Sequence, residues 1–310
     1  FNPILPGALP IGSQLLLMGA LLIGFGIKIP LFPFHTWLPD AHTEASTPVS
    51  VLLAGVLLKL GTYGLLRFCL GLFPEAWQLA APWLAGWAAV SVLYGSLAAI
   101  AQTDMKRMVA YSSVGHMGYV LLAAAAATPL GLIGSLFQMV SHGLISAILF
   151  LVVGVVYERT GTRDLNVLRG LLNPQRGLPL SGTLMIVGVM ASAGIPGMAG
   201  FISEFLIFRG SLGPFPLATL LSMVGSGLTA VYFLLLVNRA FFGRLAIAAG
   251  SDPNPRILLP VPLAHQMPAI VLSFAVLVLG LAPHLLVGLS EAATTGLSQL
   301  STTSITGAFA

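Results

Sequence analysis

Leu15-Leu-Leu-Met-Gly-Ala-Leu-Leu-Ile-Gly-Phe-Gly-Ile-Lys28-Ile-Pro30-Leu-Phe-Pro-Phe-His35 is apolar sequence that ends on an amine and breaks at once on proline. Proline lacks an amide hydrogen and cannot continue a helix interior. An ammonium beside such a break, inside a segment suited to lipid, is costly to bury. Residues of this kind face a polar interior and mark an ion or proton path. Lys59 repeats the situation in the next hydrophobic run, and the chain holds few other lysines.

The rest of the chain has the same character. Of 310 residues, 57% are hydrophobic and 7% charged, where a soluble domain carries about 25% charged residues. That gap sets the class as a polytopic membrane protein. A crossing needs about 20 apolar residues. Eight spans are predicted, over 13–28, 48–70, 79–101, 109–127, 130–156, 180–208, 216–242 and 267–289, with the first and sixth interrupted. No alternating β pattern competes, so the fold class is all-α, a membrane helix bundle. The stretch from Ala292 to Ala310 is small and polar, and is expected to be poorly ordered or held by a partner. The chain opens at Phe1 without a basic leader region and is expected to be a piece of a longer protein or its processed C-terminal portion.

Loop charge gives an orientation. One side collects Lys106, Arg107, Arg159, Arg163, Arg169, Arg176, Arg239, Arg244 and Arg256, the other only Arg67 and Arg209. The positive-inside rule puts the rich side in the cytoplasm or its equivalent. The net charge of +4 therefore reflects basic loops, not a nucleic-acid patch. Cys69 is the one cysteine, so neither an intrachain disulfide nor a self-contained Cys-ligated iron–sulfur cluster is possible. No glycine-rich phosphate loop and no nucleophile triad is present.

The two interrupted spans echo each other, as Gly26-Ile-Lys28-Ile-Pro30 and Ala193-Gly194-Ile195-Pro196-Gly197. Proline is expected to leave the carbonyls of Gly26 and Ser192 unpaired. Paired broken helices are pointers to a transport site.

Five side chains follow as proton carriers. An amine out of water gives up its proton more readily, by up to ~3–5 pKa units, which suits Lys28 and Lys59 to exchange. The competing reading is snorkelling to a span end. It is harder for Lys59, about 18 Å into its span by helical rise. Glu204 is the acid deep in an apolar run, with a structural ion pair to Arg209 as its alternative. His142 shares a predicted helix face with Ser135, Gln138 and Ser146, and His116 with Ser112, Ser113 and Tyr119. Each histidine can relay a proton or simply hydrogen-bond between helices. His35, Asp40 and His42 do not fit a helical metal-ligand face, and no metal site is predicted. Glu75, Glu158, Asp164 and Asp252 read as solvated loop charges, and Asp104, Lys106 and Arg107 as a span end.

Lys28-Ile-Pro-Leu-Phe-Pro-Phe-His35-Thr-Trp-Leu-Pro-Asp40-Ala-His42, followed by Leu52-Leu-Ala-Gly-Val-Leu-Leu-Lys59, strongly resembles the antiporter-like M/D subunit of complex I, the chain-4 type. Met108-Val-Ala-Tyr-Ser-Ser-Val-Gly-His116, Gln138-Met-Val-Ser-His142 and Gly194-Ile-Pro196-Gly-Met-Ala-Gly-Phe-Ile-Ser-Glu204 extend the resemblance over nearly the whole chain. Asp40-Ala-His-Thr-Glu-Ala-Ser-Thr-Pro48 and Arg169-Gly-Leu-Leu-Asn-Pro174 are similar to the cyanobacterial photosynthetic form, with the carbon-dioxide-uptake complex as its variant. The resemblance implies two inverted half-channels joined by a polar axis. It implies proton translocation through Lys28, Lys59, His116, His142, Glu204 and His35, with helix breaks at Pro30, Gly194 and Pro196. On that basis 1–127 holds the end of the first repeat and the start of the second, 130–242 the rest of the second, 243–290 the final span and 291–310 a polar tail.

Further implications concern the assembly. The family carries several helices before its first lysine, one with a glutamate partner, so the first half-channel is expected to be incomplete here. No cofactor is expected in this chain. Iron–sulfur clusters and quinone belong to partner subunits, neighbouring antiporter-like subunits and lipids are the expected contacts, and nucleic acid is not. The implied location is a cyanobacterial thylakoid membrane. Two rivals remain: a multisubunit cation/proton antiporter of the Mrp type, and a structural scaffold. The scaffold reading predicts no water between Lys59 and His142.

Overall fold

The computed structural model describes residues 9–247 and 258–307. Among them, seven helices are long and apolar enough to cross a membrane. In chain order these are α1 (Ile11–Lys28), α3 (Thr47–Leu70), α4 (Pro74–Ile100), α5 (Met105–Ala126), α6 (Pro129–Thr160), α9 (Pro216–Ala240) and α10 (Leu263–Leu281). The short α2 (Trp37–Glu44) follows the first break. The sixth predicted span is split into α7 (Pro179–Ser192) and α8 (Ala199–Ser211). The expected all-helical bundle with two broken helices is therefore what forms.

Helix α5 is the axis of the bundle. It is buried along almost its whole length, the mark of a helix enclosed by other helices. Asp104 starts it by accepting from the amides of Lys106 (2.7 Å) and Arg107 (3.0 Å), a side-chain N-cap. Thr128 caps α6 in the same way, at 3.0 Å from the Gly131 amide. Helices α4 and α5 meet through glycine. A Cβ on Gly95 would lie 2.6 Å from the Gly115 nitrogen, and one on Gly118 2.7 Å from Val92. Small residues allow such approach where lipid supplies no hydrophobic drive between helices.

The breaks satisfy their own backbone. The Gly26 carbonyl, expected to be unpaired, accepts from the Leu31 amide at 2.9 Å, because a wider five-residue turn carries the chain past the proline. The Trp37 indole donates to the Ile27 carbonyl at 2.9 Å, the Trp87 indole donates to the Phe32 carbonyl, and the Phe32 amide donates to Ser91 Oγ at 3.2 Å. At the second break Gly194 (φ 70°) and Gly197 (φ 91°) take the left-handed conformations that glycine accommodates. The Ile195 amide returns to the Met190 carbonyl at 3.2 Å.

The loops assigned to the basic side bond to one another. Strand β1 (Leu168–Arg169) pairs antiparallel with β2 (Ala246–Ile247), Asp104 bridges Asp164, and Arg163 Nε sits 3.3 Å from Asp104. Arg107 pairs with Asp40 at 3.1 Å and Lys106 Nζ donates to the Ala45 carbonyl at 2.6 Å. This clasp places the end of α2, the start of α5 and both long loops together, as the charge split predicted.

Three expectations change. The final span ends at Leu281, not 289, and the stretch read as a polar tail is helical, within α11 (His284–Gly307). Its serines and threonines turn their hydroxyls back onto the helix, as Ser290 does onto Val287 and Thr294 onto Ser290, which removes the polar cost of packing. Glu75 and Glu158 lie in helices α4 and α6, not in loops, and Glu75 accepts from Gln14 at 2.9 Å. Asp252 and Arg256 lie outside the described residues.

Gly95→Val is expected to force α4 from α5 at the level of His116 and to cost about 2 kcal/mol by overpacking. Thermal unfolding of the purified chain in detergent measures this as a lower Tm, and an unchanged Tm contradicts the packing argument.

Candidate functional site

Lys59 reaches inward from α3, where the helix is irregular. Residues Leu53–Leu57 form a π-helical turn just before it. Such turns widen a helix and free carbonyls, often at functional sites. Lys59 Nζ donates to the Ala54 carbonyl, five residues back, at 2.5 Å. It also lies 2.7 Å from His142 Nδ1 on α6. Glycines set that distance: a Cβ on Gly143 would lie 2.9 Å from the Gly55 carbonyl. The outer face of Lys59 lines an apolar groove between α3, α6, α10 and α11.

From His142 the polar groups continue across the bundle. His142 Nε2 is 3.2 Å from Ser113 Oγ of α5. Its ring centroid is 5.4 Å from that of His116. His116 Nε2 meets Ser192 Oγ at 3.0 Å, and its Nδ1 faces Gln138 Nε2 at 3.4 Å and Glu204 Oε1 at 3.8 Å. Glu204 Oε2 accepts from Ser226 Oγ at 2.5 Å. His116, Gln138, Ser141, His142, Ser192 and Glu204 line one cavity of about 10 Å³, which is the room one water needs. All six are buried.

The partners assign tautomers. An ammonium only donates, so charged Lys59 requires a lone pair on His142 Nδ1 and leaves the proton on Nε2, toward Ser113. The Gln138 amide donates to His116 Nδ1, which leaves the His116 proton on Nε2, toward Ser192. Each imidazole therefore holds one nitrogen open to take a proton and the other loaded to pass one.

Four of the six predicted site residues come together: Lys59, His142, His116 and Glu204. Lys28 and His35 do not join them. Lys28 is half-buried at the end of α1 and forms no hydrogen bond or ion pair among the described residues, while its stem runs over Gly61, two residues past Lys59. His35 packs in an aromatic box with its ring 4.7 Å from Tyr94 and 5.8 Å from Phe32. Neither of its nitrogens finds a partner among the described residues.

Other expectations are corrected at the level of contacts. Glu204 faces His116 and Ser226, not Arg209, because its helix face turns toward α5 and α9. The serines predicted on one face with each histidine bond elsewhere: Ser112 to the Val109 carbonyl and Ser146 to the Gly143 carbonyl. Each histidine takes its partners from other helices. Ser113, predicted to serve His116, serves His142. No water fits between Lys59 and His142, the criterion set for a scaffold. The contact is itself a hydrogen bond, which transfers a proton without water, and the water-sized space lies one step further on. Ser192 and Ser226 were not singled out from sequence. Ser192, just before Gly194-Ile195-Pro196, carried a signal in its position at the break; Ser226 carried none.

A profile for the family described as "NADH:quinone oxidoreductase/Mrp antiporter, TM" matches residues 7–229. The chain belongs to this family. It is 48% identical over 241 residues to the NAD(P)H-quinone oxidoreductase chain 4 1 of Synechococcus sp. (strain JA-3-3Ab), covering 76% of this chain and 45% of that one. It is 46% identical over 270 residues to the NAD(P)H-quinone oxidoreductase chain 4 1 of Synechococcus elongatus, covering 84% and 50%. The chain thus spans about half the length of the curated relatives it matches. Among solved structures, it is similar to a chain of the respiratory complex I from Thermus thermophilus with bound NADH, at TM-score 0.85 and 30% identity over 94% of this chain and 60% of that one. A chain of the Mrp complex from Dietzia sp. shares the fold at TM-score 0.83 with 24% identity, covering 96% of this chain and 64% of that one. The resemblance read from the motifs and the integral, multi-pass membrane character both stand.

Gly143→Val is expected to push α6 off the π turn and separate Lys59 Nζ from His142 Nδ1 beyond hydrogen-bond reach. Cryo-electron microscopy of the variant tests this, and a pair still near 2.7 Å would refute it.

Proposed function

We propose that this chain is a proton-translocating membrane subunit of a complex I-like NAD(P)H/ferredoxin–quinone oxidoreductase. The observation that carries the proposal is the sequence of half-buried Lys59 and buried His142, His116 and Glu204, in which each group faces the next. The family membership and the cyanobacterial relatives support the assembly type. Iron–sulfur clusters and quinone belong to partner subunits in this reading, neighbouring antiporter-like subunits and lipids surround the chain, and the membrane is a thylakoid.

The geometry supports a stepwise relay. The Lys59 ammonium passes a proton to His142 Nδ1 across 2.7 Å. The imidazolium then holds protons on both nitrogens and releases the one on Nε2 toward Ser113 and the cavity. A water in the cavity carries it to His116 Nδ1. The His116 imidazolium then faces the Glu204 carboxylate at 3.8 Å, close enough for an opposite charge to favour it. Neutral Lys59 can be recharged only from its own side of the chain. A change in the charge of Glu204 is therefore felt at Lys59 through two imidazoles, and redox events in neighbouring subunits need only shift one end.

Lys28, His35 and the breaks at Pro30, Gly194 and Pro196 complete the proposal. The first break brings Lys28 over the helix of Lys59. The second opens backbone beside the carboxylate, where a Cβ on Gly194 would stand 3.2 Å from Glu204 Oε2.

Lys59→Ala and Glu204→Gln in the assembled complex are each expected to lower proton translocation per quinone reduced about twofold or more, because an intramembrane relay has no spare titrating group. Sealed vesicles and a pH-sensitive dye measure it. Full pumping in both variants removes the site assignment. Transport that follows sodium and ignores quinone turnover favours the cation/proton antiporter reading instead.

A further inference from the structure

The cations of the basic side fall into two groups. Those of the clasp are bound: Arg107 to Asp40, Arg163 to Asp104, and Lys106 to the Ala45 carbonyl. Arg169, Arg176, Arg239 and Arg244 form the second group. All four are exposed, and none of their guanidinium groups has an ion pair or hydrogen bond among the described residues. Neither 165–192 nor 216–247, the stretches that carry them, contains an aspartate or glutamate. Orientation in the membrane accounts for basic loops on one side. It does not account for cations gathered without a counter-charge, which repel one another.

The backbone gathers them. The Gly170, Leu171 and Leu172 amides donate to the Phe242, Ala240 and Phe241 carbonyls at 3.0, 3.1 and 3.0 Å. Arg169 pairs in register with Ala246, and a Cβ on Gly170 would collide with the Arg244 backbone. A Cβ on Gly177 would collide with the Leu171 carbonyl, which brings Arg176 to the same ribbon. Arg239 lies in the last turn of α9. The four charges therefore crown the basic-side end of that helix.

An uncovered apolar stripe of α9 leads away from them. Val224, Gly227, Val231 and Leu234 are spaced i, i+3, i+7 and i+10 on one face. All are exposed, Leu234 at 62%, and a Cβ on Gly227 would meet nothing within 4 Å. The stripe ends at exposed Asn238, beside Arg239, with exposed Phe242 one turn further on. From Val224 to Leu234 is about 15 Å by helical rise, half of a hydrocarbon core of about 30 Å, and so the depth of one leaflet. Within the lipid surround of the reading above, and independently of the relay, we propose that this corner binds one anionic phospholipid. Arg239 and Arg244 hold its phosphate, Arg169 and Arg176 supply the surrounding charge, and its tail lies along Val224–Leu234. The guanidinium fork matches phosphate oxygens in pairs. A neutral helix laid on the stripe would leave the arginines uncompensated, and an acidic loop over the arginines would leave the stripe bare; a phospholipid satisfies both.

Native mass spectrometry of the purified full chain in detergent reads retained lipid directly. The probes are palmitoyl-oleoyl phosphatidylglycerol, phosphatidylcholine with the same tails, and glycerol 3-phosphate as a head without tails. One phosphatidylglycerol is expected to be retained in preference to phosphatidylcholine, and glycerol 3-phosphate is expected not to be retained. Arg239→Gln and Arg244→Gln, both at exposed positions, are each expected to weaken that retention about fivefold. Arg107→Gln removes the same charge from the same side, within the clasp, and is expected to leave it unchanged. An equal loss in Arg107→Gln shows diffuse attraction to the basic side and overturns the site. Equal retention of phosphatidylcholine, or retention of glycerol 3-phosphate, overturns it too, as does a protein helix lying over Val224–Leu234 in cryo-electron microscopy of the assembled complex. Glu204→Gln is expected to retain phosphatidylglycerol normally, so the lipid site and the relay fail separately.

Discussion

The bond between Lys59 Nζ and His142 Nδ1 is the constraint on which the site depends. An ammonium removed from water needs acceptors, and a neutral imidazole nitrogen is an unusual one because it can keep the proton it is offered. A carboxylate in the same place would pin the charge on the lysine. The Ala54 carbonyl supplies the second acceptor. The pair is therefore held by hydrogen bonds that satisfy the amine in either charge state without fixing it, which a salt bridge cannot do.

That bond exists because backbones come unusually close. Gly55 and Gly143 let α3 and α6 touch, Gly95 and Gly115 do the same for α4 and α5, and a Cβ on Gly200 would collide with the Ala191 carbonyl. Each contact lies within a few residues of a relay group: Gly143 beside His142, Gly115 beside His116, Gly200 one turn before Glu204. In a bilayer the close approach of small residues supplies the van der Waals packing that holds helices together. Here it also fixes the spacing of the titrating groups, so packing and chemistry are set by the same glycines.

The broken helices show a related economy. Unpaired backbone in hydrocarbon is tolerated only where protein satisfies it. Trp37, Trp87 and Ser91 do this around the first break. At the second, the turn bends back on Met190 and presents Ser192 to His116. The first break is sealed by aromatic side chains, and the second places a polar group in the relay.

Composition and hydropathy fixed the class of fold, the approximate positions of the spans before the last and their two interruptions, because the cost of polar groups in lipid is paid residue by residue along the chain. Charge in the loops fixed which of them share a side, and the clasp of Asp104, Arg163, β1 and β2 follows that division. Rarity alone marked Lys59, His116, His142 and Glu204, since a titratable group in an apolar run has no cheap reason to be there. Their partners were not legible. Same-face spacing pointed each histidine at serines of its own helix, yet His142 bonds Lys59 and Ser113, and His116 bonds Ser192 and Gln138. The helicity of the segment after His284 was hidden for a similar reason, because its polar residues satisfy themselves on their own backbone. Which groups exist is a property of the chain; which of them meet depends on helix rotation and separation, and these are set by glycine contacts between segments far apart in sequence.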